Sequence, residues 1–392
     1  MGLHVKGGVH AMTGLRSALV LLGLSLAGPA LADPPAPIDV GAQQAFLMDY
    51  NTGAVLYAKN ADQEMTPSSM TKMMTVYLVF QKLAHGDLKL TDTLPVSERA
   101  WKQGGSKMFV MIGSRVSIDD LLQGVIVQSG NDACIVLAQG LAGNEPAFVE
   151  RMNREAKALG MTHTHFVDSD GWPVPDHYSS AHDLAILADH LIHDFPQYYH
   201  YFKEIDFTYN RVHQGNRNPL LYTDKSVDGL KTGHTDAGGF GLTVSAVRDG
   251  RRLIAVLNGM ASSQERAQDP EALLDWGFRE FSDYTLLKKG VAVEQAPVWL
   301  GRAAAVPLVL HQDLVVTLPR SERDQVKVTV DYHGPVPAPV AAGQEIGTVT
   351  ITAPGVANMV EPLYAGATVA KLGPFGRIKA MIAYLIRGDG AK

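Results

Sequence analysis

Cysteine is almost absent from this sequence. Cys134 is the only cysteine among 392 residues. An internal disulfide needs two cysteines and a cysteine-rich metal site needs several, so both are excluded. Cys134 itself is interpreted as a small buried apolar residue rather than a nucleophile.

An excess of positive charge is also missing. The formal net charge is −6 at pH 7, which leaves no electrostatic footprint for nucleic acid. The sequence contains no internal repeat and no low-complexity tract beyond short stretches of proline and alanine. Nucleic acid is therefore excluded as an expected partner, and the chain is long enough for one large core plus a smaller domain.

Long hydrophobic runs are missing too, which bears on the first residues. The apolar run Ala18–Leu26 follows two cations and precedes the small-residue segment Ala30–Ala32. It is too short to span a bilayer comfortably. This order predicts a signal peptide over residues 1–32 and an exported protein, with an uncleaved N-terminal anchor as the alternative. Met12 is an alternative start to Met1.

The remaining pattern of elements indicates two domains. Strand-like segments come first, helical runs occupy the middle, and two strands joined at Asp249-Gly250 follow. This order predicts a sheet with a helical cluster beside it, which we assign to residues 38–296. From residue 297 to 373, short β-like runs with proline and glycine between them predict a small C-terminal all-β sandwich.

Residues 374–392 have a third pattern. At 100° per residue the apolar side chains fall within an arc of about 140° and the cations fall outside it. The apolar set is Phe375, Ile378, Met381, Ile382, Leu385 and Ile386, and the cations are Arg377, Lys379 and Arg387. Such a helix packs on a protein core or lies in a membrane surface, and its position in the chain favours the membrane surface.

Three short motifs carry the candidate chemistry. Ser69-Met70-Thr71-Lys72 stands where a loop meets a helical run, Ser129-Gly130-Asn131 falls between two helical runs, and Lys231-Thr232-Gly233 lies at a strand end. Each motif alone has an ordinary explanation such as a turn or a strand end. Together, in this order and these settings, they resemble the signature of serine penicillin-recognising enzymes.

The first motif supplies a nucleophile and its base. Lys72 follows Ser69 by one helical turn and shares its helix face. A lysine accepts the serine proton only if its pKa is lowered, which burial and a nearby cation such as Lys231 achieve. The backbone N–H groups of Ser69 and His234 are the expected oxyanion donors, so the chemistry needs no metal.

The other two motifs supply proton transfer and substrate binding. Ser129 can pass a proton to a departing amine, and Asn131 can bridge a substrate amide and the lysine pair. Lys231, Thr232 and Arg266 are suited to binding a free carboxylate, because a guanidinium makes two parallel hydrogen bonds to that group.

Beyond these motifs the chain resembles low-molecular-mass penicillin-binding proteins, the D-alanyl-D-alanine carboxypeptidases of the peptidase S11 family. The resemblance is strong from about Ala42 to Phe281 and weak beyond. It rests on the three motifs and on segments 49–53, 105–108, 129–134, 152–161 and 227–236. It implies an α/β (α+β) catalytic domain of the β-lactamase/transpeptidase type, with a separate β-rich domain that carries a membrane-anchoring helix.

The resemblance also implies a function and a site. The enzyme would remove the terminal D-alanine from peptidoglycan stem pentapeptides through an acyl-enzyme, and β-lactams would acylate the same serine. The implied catalytic residues are Ser69, Lys72, Ser129 and Asn131, and the implied substrate-binding residues are Lys231, Thr232, Gly233, His234 and Arg266. No cofactor is implied, and the location implied is the periplasm, peripherally on the outer face of the cytoplasmic membrane.

One departure from the family concerns deacylation. Where the best-known branch has a histidine before a glycine, this chain has Asp170 before Gly171. The neighbouring aspartate of that branch is matched by Asp183. We therefore assign Asp170 and Asp183 to deacylation as a hypothesis, with the acylation residues intact.

Two other functions share parts of this pattern. A serine β-lactamase has the same three motifs, but class A enzymes add a glutamate that positions the deacylating water, and we find no convincing equivalent here. A non-catalytic protein that binds or organises the cell wall is the second alternative. A pure binder has no need of an intact nucleophile and base, which argues against it.

Overall fold

The computed structural model describes residues 38–354 and 356–387. The predicted signal peptide lies outside the described residues, as do the last five residues of the predicted anchor segment. The described chain divides into two compact units between Arg279 and Glu280. This division comes earlier than the boundary expected after residue 296. The reason is that strand Phe281–Leu287 pairs with strand Leu314–Pro319 and so belongs to the C-terminal unit.

The first unit contains the following elements. Its strands are β1 Gln44–Asp49, β2 Val55–Lys59, β3 Thr93–Pro95, β4 Arg115–Ser117, β5 Asp206–Tyr209, β6 Val212–Gly215, β7 Val227–Thr235, β8 Gly239–Arg248 and β9 Arg251–Met260. Its helices are α1 Lys72–His85, α2 Glu98–Lys102, α3 Ile118–Ile126, α4 Asn131–Ala142, α5 Glu145–Ala158, α6 Ala181–Asp194, α7 Leu220–Thr223 and α8 Glu265–Glu280.

An antiparallel sheet in the order β2-β1-β9-β8-β7 forms one layer of this unit. The hairpin expected at Asp249-Gly250 is present: β8 pairs with β9 there, and both residues take the positive φ values that such a turn requires. Strands β1 and β2 form a second hairpin. Because β7 lies at the sheet edge, the third motif is placed at that edge, next to the helices.

Helix α1 lies at the centre of the helical layer. Its residues Lys72 to Phe80 are all buried, which is the pattern of a helix surrounded by other elements rather than facing solvent. Helices α3, α4 and α6 contribute to the same apolar core, together with Phe46 and Ile254 of the sheet. The first motif therefore lies where a short turn leads into a fully packed helix. The sheet and the helical cluster beside it are as expected.

The C-terminal unit is built mainly from strands. They are β10 Phe281–Leu287, β11 Glu294–Trp299, β12 Ala305–Val309, β13 Leu314–Pro319, β14 Lys327–Tyr332, β15 Val336–Pro337, β16 Glu345–Ala353 and β17 Val356–Ala365. A sheet in the order β14-β16-β17-β12-β11-β15 and the β10–β13 pair share one apolar core, which includes Leu308, Val316 and Val349. The prediction of a C-terminal β domain is confirmed.

Helix α9, Pro374–Arg387, ends the described chain. Three of its apolar side chains are exposed: Phe375 by 88%, Ile378 by 56% and Ile382 by 51%. They belong to the apolar arc that the sequence predicts. Over residues 38–354 and 356–387, no helix combines the length and the apolar character needed to cross a membrane.

Candidate active site

Ser69 lies on a short 3-10 turn, Ser68–Thr71, that leads into α1. The sequence places Ser69 at the start of the α-helix, whereas the structure begins α1 at Lys72. The turn packs directly against β7: a Cβ at Gly233 would lie 2.9 Å from the Pro67 carbonyl oxygen. Only glycine permits this approach, which explains the glycine of the third motif.

Lys72 is fully buried beside the half-buried Ser69. Its Nζ donates to Ser69 Oγ at 2.7 Å and to the Asp170 carbonyl oxygen at 2.5 Å. Burial lowers the pKa of Lys72, although nearby acidic groups, Asp170 among them, oppose the shift. A lysine with a lowered pKa has an amine that can accept the serine proton, so the pair has the geometry and electrostatics of nucleophile and base.

Lys231 is the second buried lysine of the site. It is 2% exposed, and burial, together with the charge of Lys72, places its pKa well below the usual lysine value. The positive charge of Lys72 therefore acts on Lys231 within the site and disfavours its protonated form. The cation that adds to the lowering of the Lys72 pKa is Arg217, whereas the sequence analysis expects Lys231.

Ser129 and Asn131, the polar residues of the second motif, lie at the start of α4. Ser129 has a positive φ of 57° and a buried Oγ that has no hydrogen-bond partner among the described residues. A buried hydroxyl left unpaired is costly, so this one is available to a substrate. The Asn131 amide donates to the Gly104 carbonyl at 2.9 Å, which fixes the segment before Ser106 at the rim of the site.

Arg266 reaches the end of β7 from the first turn of α8. Its guanidinium lies 5.3 Å from the centroid of the Phe240 ring, and Phe240 pairs in register with His234. Burial lowers the pKa of Arg266, and the charge of Arg217 adds to the effect. The Nε of Arg266 is buried and has no partner among the residues that the structure describes. It is therefore free to bind an anion.

Arg217 is a residue that the sequence analysis missed. It follows β6, donates to the Ser106 hydroxyl, and acts electrostatically on Lys72, Lys231 and Arg266. In the described chain neither Arg217 nor Arg266 forms an ion pair with a carboxylate. Cations held together without an anion are a binding site for a carboxylate. No spacing in the sequence marks Arg217, because only the fold brings it to the other motifs.

The structure brings Asp170 to the site but not Asp183. Asp170 Oδ2 accepts from Gln103 Nε2 at 2.7 Å, and burial raises the pKa of Asp170 to about 6 despite the opposing charge of Lys72. Asp183 Oδ2 instead accepts from the His163 N–H at 2.7 Å and from a threonine hydroxyl. These contacts hold the loop before α6 and give no support to a role in deacylation.

The arrangement defines a class of enzyme that transfers acyl groups through a serine. It combines a serine hydroxyl on a lysine amine, a second unpaired hydroxyl and a group of cations at a strand edge. Within the described residues, no cluster of histidine, cysteine and acidic side chains is arranged to hold a metal ion.

Comparisons with known proteins narrow this class. Residues 30–262 match the peptidase S11 family, D-alanyl-D-alanine carboxypeptidase, and residues 281–371 match the C-terminal domain of penicillin-binding protein 5. The chain is 37% identical over 381 residues to D-alanyl-D-alanine carboxypeptidase DacA of Haemophilus influenzae, covering 95% of this chain and 97% of the relative. It is 40% identical over 347 residues to DacC of Escherichia coli, covering 86% and 87%.

A solved structure supports the same family assignment. The structure of penicillin-binding protein 5 from Haemophilus influenzae superposes with a TM-score of 0.78 at 38% identity, covering 86% of this chain and 99% of that chain. The chain belongs to the peptidase S11 family of D-alanyl-D-alanine carboxypeptidases. The expected family, fold and enzyme class, a serine-type carboxypeptidase, are confirmed, and the β-lactamase and the non-catalytic binder are not favoured.

Proposed function

We propose that this protein removes the terminal D-alanine from peptidoglycan stem pentapeptides, with Ser69 as nucleophile and Lys72 as base. The observation that carries the assignment is the buried Lys72 amine, held between Ser69 Oγ at 2.7 Å and the Asp170 carbonyl at 2.5 Å. If the neutral amine donates one hydrogen to that carbonyl, its lone pair is directed at the serine hydroxyl. The site is then organised for proton transfer before substrate arrives.

Acylation follows from this geometry. Lys72 takes the proton of Ser69 as its Oγ attacks the carbonyl carbon between the last two D-alanines. The oxyanion is bound by the N–H groups of Ser69 and His234. The C–N bond then breaks, and the leaving amine takes a proton from Ser129, which regains one from the lysine pair. The proton lost by Ser69 thus leaves on D-alanine.

The terminal carboxylate of the substrate binds at the end of β7. Thr232, Gly233 and His234 place the peptide along the strand edge, while Lys231 and Arg266 supply positive charge. Arg217 adds a third cation at the same place. The unpartnered Arg266 Nε supports this role, because it lacks an internal acceptor among the described residues.

Deacylation releases the tetrapeptide when water attacks the acyl-enzyme. Asp170 is the candidate base, since its carboxyl is held near Lys72 and burial raises the pKa of that carboxyl to about 6. β-Lactams mimic the terminal dipeptide and acylate Ser69 in the same way. Asp183 has only the sequence match in its favour.

We infer that the protein works on the outer face of the cytoplasmic membrane, after export by the N-terminal segment. Residues 374–392 serve as an amphipathic anchor in this proposal, supported by the exposed Phe375, Ile378 and Ile382. Residues 297–373, or 280–373 by the observed division, form a β-rich unit that stands between the catalytic domain and the anchor in the sequence.

One incubation tests the catalytic assignment. Purified protein is given a labelled penicillin in one sample and a pentapeptide ending in D-Ala-D-Ala in another, alongside Ser69→Ala. We expect a lasting label and released D-alanine from the wild type, and neither from the variant. A label on Ser69→Ala would show that the nucleophile is another residue, and rapid penicillin hydrolysis would favour a β-lactamase.

A further inference from the structure

The loop that presents the Asp170 carbonyl to Lys72 is organised by one half-buried carboxylate, that of Asp168. Asp168 Oδ1 accepts from the backbone N–H groups of Asp170 at 3.1 Å, Gly171 at 2.6 Å and Trp172 at 3.2 Å. These three bonds fix the backbone on both sides of the carbonyl. The position of the Lys72 acceptor therefore depends on the position of the Asp168 side chain.

The other oxygen of Asp168 faces a buried histidine. Asp168 Oδ2 lies 3.4 Å from His177 Nδ1, and the histidine side chain is only 1% exposed. The opposite ring nitrogen, Nε2, lies 2.9 Å from Thr71 Oγ1. Because Thr71 directly precedes Lys72, His177 connects the loop that carries the acceptor to the turn that carries Ser69 and leads into Lys72.

The surroundings of His177 select one arrangement of its protons. Asp168 Oδ2 is buried and has no other donor among the described residues. The Val167 N–H also points at Nδ1, at 3.3 Å, and competes for this nitrogen. An ionised carboxylate oxygen left without a donor costs more than an unpaired backbone N–H, so Nδ1 carries the proton and donates to Asp168. Nε2 then accepts from the Thr71 hydroxyl. Although burial acts in the opposite direction, the contact with His177 lowers the pKa of Asp168 and keeps it ionised.

We propose that His177 and Asp168 form a positioning pair that holds the Asp170 carbonyl, and through it the Lys72 amine, in the geometry needed for acylation of Ser69. Neither side chain needs to touch the substrate. The pair acts through the backbone of residues 170–172 and through Thr71. This inference rests on the proposed function, because it assigns the support of the proposed base.

Asparagine and glutamine at position 177 separate the two contacts of the histidine. An asparagine amide reaches the place of Nδ1 and can still donate to Asp168, whereas a glutamine amide reaches the place of Nε2 and contacts Thr71 instead. The measurement is the first-order rate of Ser69 acylation by a labelled penicillin, separated from the binding constant, together with the melting temperature. His182→Gln is the matched control, because it breaks a His–Asp pair, His182 with Asp62 at 2.8 Å, outside the site.

We expect His177→Gln and His177→Ala to acylate about 10- to 100-fold more slowly than the wild type, as displacement of a reacting group predicts. We expect His177→Asn to retain most of the rate, the binding constant to change little, and His182→Gln to match the wild type. Wild-type acylation rates in all three His177 variants, whatever their melting temperatures, would overturn the proposal. Retention by glutamine but not asparagine would also overturn it, because Asp168 would then not be the partner that matters.

If the His177 variants do not fold, the same comparison is made on the partner. Asp168→Asn keeps an oxygen for the three N–H groups and an amide that can pair with the other histidine tautomer, whereas Asp168→Ala keeps neither. We expect the asparagine variant to acylate about tenfold faster than the alanine variant, and equal rates would overturn the proposal. Failure of the catalytic assignment itself would be seen separately, as a label on Ser69→Ala.

Discussion

Substitution of Arg266 tests whether the cations at the end of β7 bind the substrate's terminal carboxylate. The buried Nε of Arg266 is unpartnered in the described chain and the guanidinium lies over the Phe240 ring, so loss of the guanidinium removes a donor for the substrate together with that ring contact. We expect Arg266→Ala to weaken transition-state binding of the peptide by roughly 1.5–3 kcal/mol. The measurement is kcat/KM on a pentapeptide with a free carboxylate and on its C-terminal amide.

The amide substrate serves as the control for Arg266. If the arginine binds the carboxylate, the variant loses activity on the acid and little on the amide. The wild type should lose much of its activity when the carboxylate is blocked. Equal activity of the wild type on acid and amide would contradict the assignment. Arg154→Ala is a suitable comparison for charge alone, since Arg154 pairs with Glu150 on the exposed side of α5.

Asp170 predicts a pH dependence of deacylation. Burial raises the pKa of its carboxyl to about 6, so the ionised form that can act as a base gains population as the pH rises through 6. We expect release of the penicilloyl group to accelerate over this range and the acceleration to disappear in Asp170→Asn. Adduct lifetimes measured from pH 5 to pH 7.5 test this. If the acceleration with pH persists in the asparagine variant, the titrating group is a residue other than Asp170.

The sequence predicted the site residues that belong to a local motif, but not those that reach the site only through contacts between distant segments. Ser69 and Lys72 could be named because their motif occurs in order with the two others and its spacing places them on one face. Arg217 and His177 could not, because no local pattern marks them; each reaches the site only through the packing of loops against α1 and α4. Asp170 was named from a match with relatives, but no local pattern indicated that its backbone carbonyl contacts Lys72.

Among the elements, the loop around Gly171 makes the closest backbone approach to the nucleophile turn. A Cβ at Gly171 would lie 1.9 Å from the Ser68 carbonyl oxygen, and the residue has a φ of +79°. Gly160 is the matched control, with a φ of +83° and nothing within 4 Å of its added Cβ. The two glycines share the backbone conformation and differ only in the clash.

We expect Gly160→Ala to lower the free energy of unfolding by about 1–2 kcal/mol, the strain of a left-handed alanine, with normal penicillin labelling. Gly171→Ala should be destabilised more and should label slowly, because the loop must move away from Ser68. Thermal unfolding and labelling rates measure both effects. Similar behaviour of the two variants would show that the close approach is unimportant for acylation.

Helix α9 is the second element that carries a prediction. Its exposed Phe375, Ile378 and Ile382 are suited to a membrane surface, and each proposed catalytic residue precedes residue 270. Deletion of residues 374–392 should therefore release active protein from the membrane fraction. Fractionation and D-alanine release are the measurements. Membrane retention of the truncated protein would place the anchor elsewhere, and loss of activity would mean that the helix stabilises the fold.

Element boundaries were less predictable than element types. The hairpin of β8 and β9 followed from its turn residues, and the helical run that follows Ser69 was recognised as helix. The domain boundary did not, because the pairing of β10 with β13 joins segments that lie far apart in sequence. The start of α1 differed for a related reason: packing of β7 against residues 67–70 favours a tight 3-10 turn there instead of the first turn of an α-helix.

At the scale of the whole molecule, the two buried lysines link catalysis to folding. The folded-state pKa values of Lys72 and Lys231 are lowered by burial, so the unfolded chain binds more protons between those values and the ordinary lysine pKa. The free energy of unfolding therefore rises with pH across that interval and is lower below it. Burial of the reactive amine therefore lowers the thermal stability of the enzyme.

Lys72→Met makes this trade-off measurable. Methionine fills a similar volume and needs no proton, so we expect the variant to be inactive yet to melt at a higher temperature than the wild type, with the largest gain at the acid end of the range. Calorimetry at several pH values measures the difference. A lower melting temperature at every pH would mean that the bonds from Lys72 to Ser69 and Asp170 stabilise the fold more than burial of the amine weakens it.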